Sequence, residues 1–428
     1  MRASFLARLA LGLCFASAAR AAPVIETFSS DDPALRLATV AFEGGKTLEL
    51  GIGIGSAAFR RPGAPEGVFV TLSDRGPNFA CADARELAGV DGDKLCPGAK
   101  AGRIYPVPDY SPTIYRIAVE RDGFRLLEAI PITDQRGRPV SGLPNPLTKA
   151  TTEVPFDARG RRLDPRASAI DAEGIVELAD GTFWIGEENA PSILRVGRDG
   201  RVIRRLVPAG SESDFADAGY PVEGKLPAIL AKRQINRGIE SIAVSPDERF
   251  LWFMLQSPLA HPDTKTYQGA RNIRLFQYDL VEDRLVGEYV YELTAMSEFA
   301  GEEQRPQSTA RVSELLALDA DRFLLVDRTE RTSKIVAIDV RGATNILGSA
   351  WDDPATSPAL EQVSLAEAGI VPVRKRLVFD SSAHPEVPVK IEGLALFADG
   401  ALMMINDDDF GIDGRRTLVV RVRGLDLR

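Results

Sequence analysis

Short apolar runs alternate with polar turns along this chain, and four of them share one pattern. They are Glu173-Gly-Ile-Val-Glu-Leu-Ala-Asp180, Glu240-Ser-Ile-Ala-Val-Ser-Pro-Asp247, Glu314-Leu-Leu-Ala-Leu-Asp-Ala-Asp321 and Glu392-Gly-Leu-Ala-Leu-Phe-Ala-Asp399. In each, an Asp follows a Glu by seven residues, and the Glu positions lie 67, 74 and 78 residues apart. An apolar strand comes next: Thr182–Gly186, Phe250–Leu255, Phe323–Val326 and Ala401–Ile405. A third strand follows at Ile193–Val196, Ile273–Tyr278, Lys334–Ile338 and Thr417–Val422. A degenerate first copy reads Gly55–Phe59, Gly67–Leu72 and Thr113–Val119, with no opening Glu. Strands joined by tight turns at a long, regular period are the pattern of a β-propeller of four-stranded blades. Five blades are legible, and the stretches 24–50 and 131–170 leave room for a sixth. Leu35–Phe42 or Thr47–Ile54 is expected to close the ring by pairing with the last blade. A β-sandwich array is the competing all-β reading. Helical periodicity is weak, strongest at Pro227–Arg233 and Leu360–Gly369.

Blade geometry selects one face. The inner strand starts, and the second strand ends, at the same mouth of the central channel. The long connections 73–112, 131–172, 208–239, 256–272, 294–312, 348–391 and 406–416 are all expected there, with short turns opposite. An elaborate face on a rigid scaffold is where a site belongs. Glu173, Glu240, Glu314 and Glu392 open inner strands at that mouth. Asp74-Arg75, Glu187-Glu188, Gln256, Asp327-Arg328 and Asn406-Asp407-Asp408-Asp409 end second strands there. Carboxylates converging on one mouth stay ionised only beside cations or strong donors. A hard cation such as Ca²⁺, with its demand for many oxygens, is one solution. Pairing with Arg75, Arg237 and Arg328 is the other.

The 428 residues carry 52 Lys+Arg against 61 Asp+Glu, and this acidic balance disfavours a nucleic-acid partner. Met1–Ala22 reads as a secretory signal, with Arg2 and Arg8 before the apolar Leu9–Phe15 and an Ala19-Arg20-Ala21 cleavage pattern. Cleavage near Ala21 removes three Arg and no acid, which takes the net charge from −9 to −12. Leu13 before Cys14 does not suit a lipid anchor, and no later stretch reaches membrane length. The expectation is a secreted, periplasmic monomer with residues 23–428 in one domain. Cys81 and Cys96 then most simply form one disulfide. Histidine occurs twice, at His261 and His384, so His-rich metal sites are excluded. No Gly-x-Ser-x-Gly elbow and no phosphate-binding loop is present. The Asp-Asp-Pro-Ala at 31–34 and again at 352–355 is read as a turn tetrapeptide.

Leu72-Ser-Asp-Arg-Gly76, Asp171-Ala-Glu-Gly174, Asn236-Arg-Gly-Ile-Glu240, Ile391-Glu-Gly-Leu394 and Asn406-Asp-Asp-Asp-Phe-Gly411 resemble the phytase-like family with esterase-like activity. The resemblance runs from about residue 35 to 423. It implies a secreted bacterial propeller that hydrolyses an ester or phosphate ester. The positions that match are Asp74, Arg75, Glu173, Arg237, Glu240, Glu392, Asp408 and Asp409.

Together these readings set the expectations for the site. Glu173 and Glu240 supply acid–base catalysis. Arg75, Arg237 and His261 bind a small-molecule substrate. Asp74, Glu188, Glu392, Asp408 and Asp409 hold Ca²⁺. The alternatives are a non-catalytic binding propeller and a lactonase-like hydrolase on the same fold.

Overall fold

The computed structural model describes residues 22–99 and 101–427, so the signal-like segment up to Ala21, with Cys14, lies outside the described residues. Five sheets form the body. The first blade holds Ala57–Phe59, Val68–Leu72, Thr113–Glu120 and Gly123–Pro131. The second holds Ala172–Glu177, Phe183–Glu187, Ser192–Val196 and Val202–Pro208, plus a fifth, parallel strand Val222–Leu226. The third is Ile239–Val244, Phe250–Leu255, Asn272–Asp279 and Arg284–Glu292. The fourth is Arg311–Ala317, Arg322–Arg328, Ser333–Asp339 and Arg374–Asp380. The fifth is Ile391–Leu396, Leu402–Asn406 and Val419–Arg423, completed by the N-terminal Val24–Phe28.

Each inner strand touches the inner strands of the blades on either side, and the first blade touches the fifth, so the ring is closed. The protein is a five-bladed β-propeller. Apolar faces of neighbouring blades meet in continuous cores, for example Trp184 against the second–third interface and Trp252 with Phe323 at the third–fourth. Burial of these non-directional faces is what drives the ring together.

The closing strand differs from the expectation. Leu35–Phe42 and Thr47–Ile54 do not join the last blade. Arg36–Ala41 pairs with Thr47–Gly51 as a separate hairpin. Val24–Phe28 closes the ring instead, in antiparallel register from Val24 opposite Arg423 to Phe28 opposite Val419. Its length is the right one for the short Val419–Arg423, and Phe28 is buried in the core between the first and fifth blades. Neither reserve stretch forms a sixth blade. In 131–170 the one strand, Val154–Asp157, joins Phe79–Ala80 and Gly102–Tyr105 in a small outer sheet. The two helix candidates reduce to 3-10 turns at Ala228–Lys232 and Leu360–Gln362.

One long connection also moves. In the fourth blade the last strand is Arg374–Asp380, so the chain from 340 to 373 leaves the third strand on the face opposite the mouth. It runs along the third blade, where the Asn272 amide donates to Leu360 O at 2.7 Å and Arg274 Nη2 donates to Trp351 O at 2.9 Å. The Cys81–Cys96 disulfide is formed, with Cα atoms 6.2 Å apart, and staples the lobe beside the small sheet.

Candidate functional site

A β-bulge repeats where the inner strands enter the mouth. The register slips between Ala172 and Gly174, Ile239 and Ser241, Val312 and Glu314, and Ile391 and Gly393. The skipped residues are Glu173, Glu240, Ser313 and Glu392. A bulge leaves its extra residue unpaired and re-aims its side chain. Three blades use it to present a carboxylate, and the fourth presents the Ser313 hydroxyl. The glycines that follow two of these acids keep the axis narrow. A Cβ on Gly174 would come within 2.9 Å of Glu240 O, and one on Gly393 within 2.7 Å of the Ala57 backbone.

Glu314 therefore stands one residue out of step with the other three. Its Oε2 accepts from Ala58 N across the channel, and its Oε1 accepts from Leu315 N, both at 3.0 Å. Burial pushes its carboxyl well above the usual range. It is a strut between blades rather than a member of the mouth ring.

One carboxylate oxygen from each of Glu173, Glu240 and Glu392 lies within 4.8 Å of the others, and the same holds for Asp74, Asp171 and Glu173. Glu173 belongs to both groups. Around them the charge is uneven. Burial raises Glu173 well above the usual carboxylate range, and Glu240, Asp171, Asp74 and Glu188 push it further. Asp74 is raised by burial and by Asp171 and Asp407. Glu240 is raised by burial too, but Arg328, Gln256, Arg237 and Arg311 pull it back. Burial takes Glu392 up to about 8 against the pull of Arg328 and Lys390.

Arg328 holds the Glu240–Glu392 side together. Its Nη2 donates to Glu392 Oε1 and lies 3.9 Å from Glu240 Oε1, while its Nε donates to Ser313 Oγ at 2.6 Å. On the other side Arg75 is locked between Glu153 and Asp171, the latter at 3.3 Å. Behind it, Glu187 accepts from Asp171 N at 3.1 Å and pairs with buried Arg205 at 3.1 Å, which fixes the entry to the second blade. Arg237 Nη1 stands 3.4 Å from Glu188 Oε1 at the mouth.

The other expected residues are dispersed. Glu188 is at the mouth, raised by burial and by Glu240 and Asp171, and tied to Arg237. Asp409 is paired with Lys390 at 2.7 Å and Arg415 at 2.6 Å, outside both carboxylate triads. Asp408 caps its own turn by accepting from Phe410 N at 3.1 Å and lines a separate groove with Asp31 and Arg415. His261 is buried with Nε2 unpartnered, and the charges acting on it are Lys232 and Arg274, the latter two strands out from the axis. Sequence reading quoted Asp171 and Asp407 in its motifs without giving them a role, and passed over Glu153, Arg311 and Lys390. Asp171 carried a signal, because it precedes the bulge Glu by two residues, as Lys390 does in the fifth blade. Glu153 sits in a loop with no periodic mark.

Both Asp171 oxygens and Glu240 Oε2 are buried without a hydrogen-bond partner. Arg75 Nη1 lies 3.3 Å from Asp171 Oδ2, and the remaining carboxylate oxygens of this cluster are the donor chemistry of a hard cation. A cluster of this kind could hold a metal ion.

The model of the phytase-like family, described as esterase-like activity of phytase, matches residues 53–410. The chain belongs to this family. An uncharacterized secreted protein of Arthroderma benhamiae is 25% identical over 243 residues, 49% of this chain and 46% of that protein. The chain thus spans about half the length of that curated relative. A periplasmic gluconolactonase of Pseudomonas aeruginosa is similar at 11% identity, with 90% of each chain covered and a TM-score of 0.36. A luciferin-regenerating enzyme is similar at 9% identity, covering 95% of this chain and 97% of that one, with a TM-score of 0.34. Among the described residues no helix is long and apolar enough to cross a membrane.

Proposed function

We propose that this phytase-like propeller is a secreted hydrolase that cleaves an ester or phosphate ester at the channel mouth. Export is supported by the signal-like N-terminus and by the secreted relative. The observation that carries the reading is the contrast between two neighbouring acids. The strongest charged influences on Glu173 are acids, whereas those on Glu240 are Arg328, Arg237 and Arg311. Burial raises both carboxyls, and the one with cations beside it gives up its proton more readily, so the pair can divide acid and base duties. Glu240 is the base that takes a proton from the attacking water. Glu173 keeps its proton and delivers it to the departing oxygen. The two exchange protons with solvent afterwards, so one water is consumed per bond cleaved.

Asp74, Asp171 and Glu173 are the residues that would hold calcium. When bound, the ion supplies positive charge at the substrate oxygen, and Glu173 then acts as its ligand rather than as proton donor. Arg328 keeps Glu240 and Glu392 in place, and Ser313 fixes the Glu240 carboxylate by donating to Oε1 at 3.1 Å.

Parallel assays on a chromogenic ester, a phosphate ester and a lactone, each with and without EDTA, test this reading. Turnover of an ester or phosphate ester above the rates with the lactone is expected. Saturable ligand binding with no turnover of any substrate would mark a binding propeller and refute it.

A further inference from the structure

The 340–373 connection lies as a strap over the outer strand of the third blade. Ile346 N donates to Glu288 O at 2.8 Å and Val373 N donates to Val290 O at 2.9 Å. Between these ties Ile346, Leu360, Leu365 and Ile370 gather on Val290 in a small core of their own, apart from the cores between blades. Five buried side chains give a modest apolar hold for so long a segment.

Beneath the strap a charge imbalance is buried. Arg274 Nη1 lies 2.6 Å from Glu288 Oε1 and 3.6 Å from Asp352 Oδ1, and Arg274 Nε lies 3.5 Å from Glu361 Oε1. The sheet supplies Arg274 and Glu288, and the strap supplies Asp352 and Glu361. The side chains of Arg274, Glu288 and Glu361 are 1%, 0% and 0% exposed, while Asp352 keeps 21%. His261, from the loop after the second strand, is the other titratable neighbour. Burial, Lys232 and Arg274 hold it below its usual range, so it brings no positive charge. Three carboxyls thus face one guanidinium, and their ionised forms cannot all be met there.

Glu288 Oε2, Glu361 Oε2 and Asp352 Oδ1 are buried and receive no hydrogen bond from any N–H or O–H of the chain. Among the described residues, the three-acid groups close enough to hold a metal ion are both at the mouth. A proton is the remaining counter-charge. Burial raises Glu288 to about 8, and raises Glu361 also, each against the pull of Arg274. The Glu288 carboxyl is hydrogen-bonded to that of Asp352, a bond that two ionised carboxylates cannot make. The partly open Asp352 gives that proton a way to solvent.

We infer that 340–373 is a proton-fastened strap, closed on the third blade when Glu288 donates a proton to Asp352 and released when that proton leaves. Two carboxylates on Arg274 Nη1 then repel each other across the seam between strap and sheet. The release extends to the mouth. The Asn272 amide, at the mouth end of its strand, donates to Leu360 O and also to Val363 O at 3.1 Å. The turn Leu360–Gln362 therefore touches the short helix Thr264–Gly269, whose buried Tyr267 acts on Arg237. Alkaline surroundings loosen the loop beside Arg237, whatever chemistry the mouth performs.

Hydrogen exchange read by mass spectrometry at pH 6.5 and pH 9, expressed as protection over the intrinsic rate, tests this on the full protein. Protection of peptides covering 345–370 and 264–269 should fall about tenfold between the two, one proton's worth for a group that titrates near 8. Glu288→Gln keeps a donor to Asp352 that cannot ionise, and should hold the strap closed at both values. Asp352→Asn, which donates in the opposite sense, serves as the second variant and should do the same. Equal protection at the two pH values in the unaltered protein would overturn the inference. So would a pH dependence of undiminished size in either variant.

Discussion

The Ser313 hydroxyl donates to Glu240 Oε1 at 3.1 Å from the bulge position that three other blades fill with glutamate. Because the same hydroxyl accepts from Arg328 Nε, the fourth blade contributes a connector where its neighbours contribute charge. A fourth carboxylate there would add to the repulsion among the mouth acids. The arrangement makes Arg328 the group on which Glu240 and Glu392 depend.

Arg328→Met should therefore be severely destabilising. It leaves two buried carboxyls without their shared cation, a loss of about 3–5 kcal/mol for a broken buried pair. Denaturant unfolding measures it. A loss no larger than that of a surface substitution would show that Arg328 does not hold the mouth together.

Stability should fall as pH rises from about 5 to about 8. Glu288 is raised by burial to about 8, against the pull of Arg274 at 2.6 Å. A carboxyl raised in the folded state binds its proton more tightly there than in the unfolded chain. Its contribution is complete below the unfolded value and is lost as pH passes through the folded one. Melting temperature across about pH 5 to 8 should decline, and Glu288→Gln should flatten the slope. An unchanged slope in the variant would refute the assignment.

Calcium should bind more tightly as pH rises, because the proton on Glu173 must leave when a cation arrives. At a hundredfold excess over its dissociation constant the ion should add about 2.7 kcal/mol of stability. Titration calorimetry at pH 5.5 and 7.5, with Asp171→Asn as control, checks both points. Affinity that does not vary with pH would place any ion away from Glu173.

Loss of the disulfide should cost about 3 kcal/mol, the chain-entropy value for a loop of this length. Cys81→Ser compared with the unaltered protein by denaturant unfolding gives the figure. A loss below about 1 kcal/mol would mean that the lobe is held by its small sheet and apolar contacts alone.

The recurring Glu…Asp spacing revealed the blades because each bulge and each hairpin turn sit at a fixed distance along a strand. It located three of the mouth acids for that reason. It failed in the fourth blade by one residue. The hairpin there closes from Leu318 N to Arg322 O, as Leu178 N to Thr182 O does in the second blade. Asp321 thus fills the place of Gly181, not of Asp180, and Glu314 falls one step past the bulge. A one-residue shift redirects a strand side chain, and apolar periodicity cannot detect it when both positions are polar. The closing strand was hidden for a different reason. Val24–Phe28 and the hairpin strands have similar alternation, and only the tertiary pairing with Val419–Arg423 distinguishes them. Arg311 opens the first strand of the fourth blade and Glu330 follows the end of the second, so both lie at the mouth, and no sequence pattern marks their contact.

The rate of ester hydrolysis by Glu240→Gln, beside that of the unaltered protein, tests the central claim most directly. Removal of the base should lower kcat by about 10²–10⁴, with the fold intact by circular dichroism. A variant that turns over the ester at the unaltered rate would contradict the account, because the carboxylates gathered at the mouth would then have no part in the chemistry.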